Sequence, residues 1–214
     1  MFPQNIMFYT VIGILLVQKI NESIELLPEL KVLSIRYLDE NNEPIKYLLS
    51  NAIDKVQSFF FNNLCLQEFR FDKVDIGNYM ESIINILPRI QTEAYFYYMK
   101  INAKQLASII KNSAHIKRLG FIKCKLNMNS TIDLNIDNPY QIKSINLKGC
   151  GYEYRGGMMT EHDFEKLIKA ISMSGLKESL VKIRTSDCNM KQYKVEQILD
   201  DYDMDKVDVL QQEI

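Results

Sequence analysis

The chain has 214 residues, 47% of them hydrophobic and 25% charged. This is enough apolar material for one domain with a core, and the formal net charge of -1 argues against a general nucleic-acid-coating or acidic-tail protein. Four cysteines, Cys65, Cys124, Cys150 and Cys188, lie far apart and form no C-x-x-C pair, so neither a zinc site nor a thioredoxin-type motif is expected.

In chain order, the first apolar run is Ile6 to Val17. It is too short to span a bilayer and lacks the basic flank and cleavage site of a signal peptide. Val11, Ile12, Leu15, Leu16, Ile20, Ile24 and Leu27 keep helical spacing, so residues 1–27 are expected to form a helical cap closed near Pro28. Leu30, Leu33, Ile35 and Leu38 follow with a strand-like pattern. Ile45, Leu48, Leu49, Ala52, Ile53, Val56 and Phe60 then make a helical stripe. The strand pattern returns at Leu66, Phe69, Phe71, Val74 and Ile76, and a second stripe runs through Tyr79, Met80, Ile83, Ile84 and Leu87, with Asn78 as the expected N-cap.

Ala94, Phe96, Met99 and Ile101 repeat the strand spacing, and Asn102 opens a helix carrying Leu106, Ile109 and Ile110. Ile116, Leu119, Phe121, Cys124 and Leu126 repeat it again. The stretch from Asn127 to Tyr140 has no helical pattern, and Asp137, Asn138 and Pro139 predict a turn. Ile142, Ile145, Leu147, Cys150 and Tyr152 give the next copy. Thr160 and Asp163 form a near capping box before Phe164, Leu167, Ile168 and Ile171. A last copy, Leu180, Ile183, Thr185, Cys188 and Met190, precedes a helix with Val195, Ile198 and Leu199, and residues 203–214 are expected to be an acidic tail.

Six copies in one register resemble the leucine-rich repeat, L-x-x-L-x-L-x-x-N/C-x-L, over residues 28–202. Cys124, Cys150 and Cys188 all fall at the N/C position, as in the ribonuclease-inhibitor or cysteine-containing subclass. The chain departs from the family at Gln91 and Ala94, where large aliphatics are expected, at Leu38 and Val74 in the N/C position, and in two longer spacers. The resemblance implies an α/β solenoid of about six strand-turn-helix repeats, with a parallel sheet on the concave face and helices on the convex face. It also implies that the three cysteines form a buried ladder rather than a metal site.

Strand alternation then points the residues between the consensus positions outward. The concave face so defined holds Ser34, Arg36 and Tyr37, then Glu68, Arg70, Asp72 and Lys73. Glu93, Tyr95, Tyr97 and Tyr98 follow, then Arg118, Gly120, Ile122 and Lys123, then Ser144, Asn146 and Lys148, and last Lys182, Arg184 and Ser186. The candidate partner-binding set is Arg70, Tyr95, Tyr97, Tyr98, Arg118, Ile122, Lys123, Lys148 and Arg184, because tyrosine and arginine are enriched in binding hot spots.

No spacing of Ser, Cys and His suggests a nucleophile, and His115 and His162 read as ordinary surface or pre-strand residues. Asp201, Asp203 and Asp205 open like a calcium loop, but Lys206 and Gln212 replace the required Gly and Glu. Gly149, Gly151, Gly156 and Gly157 lack the G-K-[ST] of a P-loop and read as a loop at the binding edge. The expectation is a non-enzymatic, cofactor-free, metal-free protein-binding scaffold, a subunit of a larger intracellular (cytoplasmic) assembly, with no small-molecule substrate and no membrane partner. The alternatives are nucleic-acid binding through a mildly basic concave face, and an F-box-like ubiquitin-ligase adaptor suggested by Leu27, Pro28, Glu29, Leu30, Ile35 and Leu38.

Overall fold

A computed structural model describes residues 8–11, 32–36, 58–62, 77–150, 159–188 and 190–210. The main sheet contains β1 (Phe8–Val11), β2 (Val32–Arg36), β3 (Ser58–Asn62), β4 (Glu93–Tyr97), β6 (Arg118–Ile122), β8 (Ser144–Asn146), β9 (Lys182–Arg184) and β10 (Asp208–Leu210). The strands lie side by side in chain order, β1-β2-β3-β4-β6-β8-β9-β10, and every pairing is parallel. A second, two-stranded parallel sheet pairs β5 (Lys100–Asn102) with β7 (Lys125–Asn127). Parallel neighbours need crossover connections. Where these are described, most carry helices: α1 (Gly77–Ile86) with a following 3-10 turn (Leu87–Arg89), α2 (Ala103–Asn112), α3 (Glu161–Ser172), the single turn α4 (Leu176–Ser179) and α5 (Gln192–Asp201).

One residue set is in register across the sheet. Tyr9, Leu33, Phe59, Ala94, Leu119, Ile145, Ile183 and Val209 are successive partners. From Ala94 to Ile183 these residues are buried, as are Phe96 and Phe121 two positions on, whose rings stack with centroids 5.6 Å apart. Burying each such aromatic contributes about 1.5–3 kcal/mol. Leu106, Ile109 and Ile110 of α2, Phe164, Leu167, Ile168 and Ile171 of α3, and Val195 and Leu199 of α5 complete this core. The expected caps of α2 and α3 both form as reciprocal capping boxes: Asn102 with Gln105, and Thr160 with Asp163. The stretch expected to lack a helix, residues 127–140, has none, and bends at Asp137 and Asn138. Among the described residues no helix is long and apolar enough to cross a membrane.

Five expectations need correction. Phe8–Val11 is a strand, not part of a helical cap; a short apolar run does not by itself distinguish the two, and Tyr9 and Val11 find partners in Leu33 and Ile35. Ser58–Asn62 is a strand where the helical stripe ends at Phe60, and it pairs directly with both β2 and β4. It therefore takes the sheet position expected for the copy at Leu66–Ile76; that copy, Arg70 included, lies outside the described residues. The helix α1 starts at Gly77, one residue before the expected cap Asn78. The tail is not frayed at its start, since Met204 and Val207 are buried and Asp208–Leu210 adds a strand to β9. Leu33–Ile35 stands in β2, where the F-box-like alternative requires a helical bundle.

Candidate functional site: the open face of the sheet

From β4 to β9 the described helices and core lie against one face of the sheet, and the side chains of the other face are partly exposed. Along β4, Ala94 and Phe96 are buried while Glu93, Tyr95 and Tyr97 are half-exposed. Register sets these in rows. Glu93, Arg118, Ser144, Lys182 and Asp208 make one; Tyr95, Gly120, Asn146, Arg184 and Leu210 make the next; Tyr97 and Ile122 begin a third.

The centre of the face is built around Gly120. A Cβ at this position would lie 2.2 Å from Cδ1 and 2.5 Å from Cε1 of Tyr95, so the tyrosine ring lies directly on the bare glycine backbone of the next strand. Any larger residue would lift it off. Arg118, the next side chain on the same strand face, donates from Nε to Oε2 of Glu93 at 2.8 Å. Burial raises the Tyr95 phenol above its ordinary value and Glu93 adds to this, while Arg118 and Arg184 oppose it. Arg184 is thus close enough to act on Tyr95 electrostatically. Tyr97 is also shifted upward, by burial first and then by Tyr95. Glu93 holds the Arg118 guanidinium still more firmly protonated. The structure therefore brings Tyr95, Tyr97, Arg118, Ile122 and Arg184 onto one patch.

Tyr98 and Lys123 do not belong to the sheet face. Both have positive φ, 57° and 52°, as do Gly149 at 64° and Asp187 at 58°. Each is the residue just before the N/C position, where the chain leaves its strand through a left-handed turn. They form a rim: the Lys123 ammonium lies 5.5 Å from the Tyr98 ring centroid, and Lys148 sits 3.8 Å from Asp187. Behind the rim the three cysteines are free and buried. The Cys124 thiol donates to the Phe96 carbonyl at 3.3 Å, Cys150 to Phe121 at 3.0 Å and Cys188 to Leu147 at 2.7 Å, so each ties its own turn to the strand before it. Burial pushes the Cys124 and Cys188 thiols up to about 12 and Cys150 well above the usual value, which removes them as nucleophiles.

Glu93 and Gly120 shape the patch, and Asn146 shares its row, but none of the three was in the candidate set. A glycine within a strand pattern signals close approach, and would have pointed to Gly120. His115 donates from Nε2 to the Ile90 carbonyl at 2.5 Å, a structural bond, and His162 is exposed 3.7 Å from Glu165. Among the described residues no cluster of His, Cys, Asp or Glu is arranged to hold a metal ion. Residues 151–158, the loop flanked by glycines, lie outside the described residues. No protein-family model, curated protein or solved structure matches this chain.

Proposed function

We propose that the chain is a leucine-rich-repeat solenoid of the ribonuclease-inhibitor-like type, acting as a non-enzymatic scaffold that captures a protein partner on its concave sheet face. Three observations support the repeat reading. The sheet's parallel strands follow chain order, the same residue of each strand is in register, and the thiol ladder repeats at the N/C position. The binding reading rests on one observation above the others: the Tyr95 ring rests on Gly120 beside Arg118, with Arg184 in the same row of the sheet. Pinned aromatic and guanidinium groups lose little side-chain freedom on binding, which is what a hot spot needs. The unpaired thiols support a reducing, intracellular setting.

Charge favours a protein over a nucleic acid. Arg118 is taken by Glu93, Lys148 faces Asp187, and Lys182 is in register with Asp208. A phosphate-tracking surface has no use for acids placed beside its cations. The test is affinity capture from the native source followed by mass spectrometry, comparing the wild-type chain with Tyr95→Ala, Tyr97→Ala and Arg118→Ala. The expected result is loss of the partner with the fold retained by circular dichroism. Unchanged capture by all three would remove the site from this face, and salt-sensitive retention of nucleic acid on a filter would favour the other partner class.

A further inference from the structure

The side of the molecule carrying the helices has a hollow of its own. Helix α1 packs on α2, and α3 packs on α5, but between α2 and α3 the chain from Met128 to Tyr140 runs without a helix. The connector is thinner than a helix, and a hollow of about 400 Å³ opens between residues 128–132 and the flank of α3. That volume is within the range of ligand-binding clefts. Its apolar lining comes from Met128, Ile132, Ala170 and Met173, and Met173 is 72% exposed.

The polar lining carries one sign of charge. Lys166 and Lys169 border the hollow, and no acid lines it. The nearby acids are engaged elsewhere: Asp133 accepts from Lys111 at 2.8 Å, and Glu165 accepts from the Tyr202 hydroxyl at 3.1 Å. Lys166 spends one N–H on the Met128 carbonyl at 3.1 Å and keeps two. The connector bends at Asn129 and Ser130, and among the described residues the amides of Ser130, Thr131 and Ile132 find no protein acceptor.

We propose that this hollow docks an acidic, extended peptide segment with one apolar side chain. The apolar side chain enters between Ile132 and Met173, its carboxylates meet Lys166 and Lys169, and a backbone carbonyl takes a free amide of the connector. The face is separate from the Tyr95 patch, so the two sites are independent.

The probe is a fluorescein-labelled pool of capped pentapeptides, Asp-Glu-X-Asp-Glu with X as Leu, Met or Phe, titrated against the full chain by fluorescence polarisation. Saturable binding is expected. It should weaken at least tenfold in the Lys166→Glu, Lys169→Glu double variant and several-fold in Met173→Ser, and remain unchanged in Tyr95→Ala. Circular dichroism checks that each variant is folded, and Met173→Ser, which alters no charge, stands in if the double variant is not. A pool that fails to saturate, or that binds these variants like wild type, overturns the proposal. So does loss of binding in Tyr95→Ala, or saturable binding of decanoate with the peptides silent, which would assign the hollow to a small anionic amphiphile.

Discussion

At the scale of single residues, the contact between Tyr95 and Gly120 decides the shape of the open face. The clash at Gly120 involves the ring's near atoms, so a methyl group there cannot be absorbed by moving the phenol tip. Gly120→Ala is expected to destabilise by about 1–3 kcal/mol through overpacking. In a Tyr95→Ala background most of that cost should vanish, giving a coupling of about 0.5–3 kcal/mol in a double-mutant cycle from urea melts. Additive effects would mean that the ring does not rest on the glycine. The thiols make a second residue-scale prediction. A thiol whose value rises on folding keeps its proton in the folded chain while the unfolded chain loses it. Their contribution is therefore complete below the ordinary value of 9.0 and is lost as pH climbs from there towards about 12. Stability measured against pH should fall across that window, and replacing Cys124 and Cys188 with alanine should flatten the fall. An unchanged slope would show that the thiolates are tolerated inside.

At the scale of elements, the capping boxes carry a definite cost. Asn102 accepts from the Gln105 amide at 2.9 Å and Thr160 from the Asp163 amide at 3.1 Å. Each alanine substitution is expected to cost about 1 kcal/mol by thermal melt. These helices were legible in sequence because polar cap, acceptor and apolar stripe all agree. The strands from β4 to β8 were legible because Ala94, Leu119 and Ile145 keep nearly one period, and β9 because Ile183 and Cys188 repeat the spacing of Ile145 and Cys150. β2 was legible too, from Leu33 and Ile35, but β3 was not, because two registers compete. Val56, Phe59, Phe61, Leu64 and Leu66 fit the strand pattern as well as Leu66, Phe69, Phe71, Val74 and Ile76 do. Local spacing cannot choose between them. The choice comes from the hydrogen-bonded ladder, in which β3 meets β2 and β4 over five residues each, a non-local fact. The face residues were half legible for a related reason: alternation identifies the strand residues, but it does not tell that Tyr98 and Lys123 lie past the strand's end, in left-handed turns.

At the scale of the whole molecule, each described strand of the main sheet pairs with its neighbours in chain order, and on the solenoid reading proposed above such a fold is close to one-dimensional. Damage at one end should then stay near that end. The last strand is a clean place to apply it. Among the described residues Asp208–Leu210 pairs with β9 alone, Thr185 donates its amide to the Leu210 carbonyl at 3.2 Å, and Val207 is buried just before the strand. Deleting residues 207–214 leaves α5 in place but removes the neighbour of β9 and bares the edge of Ile183. Hydrogen exchange followed by mass spectrometry should rise sharply in Lys182–Arg184 and in α5, rise slightly in β8, and stay unchanged in β4 and β6, where the Tyr95 patch sits. Partner capture through Tyr95 should survive the truncation. A uniform rise in exchange through β4 would show a single cooperative unit, in which no stretch of the sheet can be altered without loosening the rest.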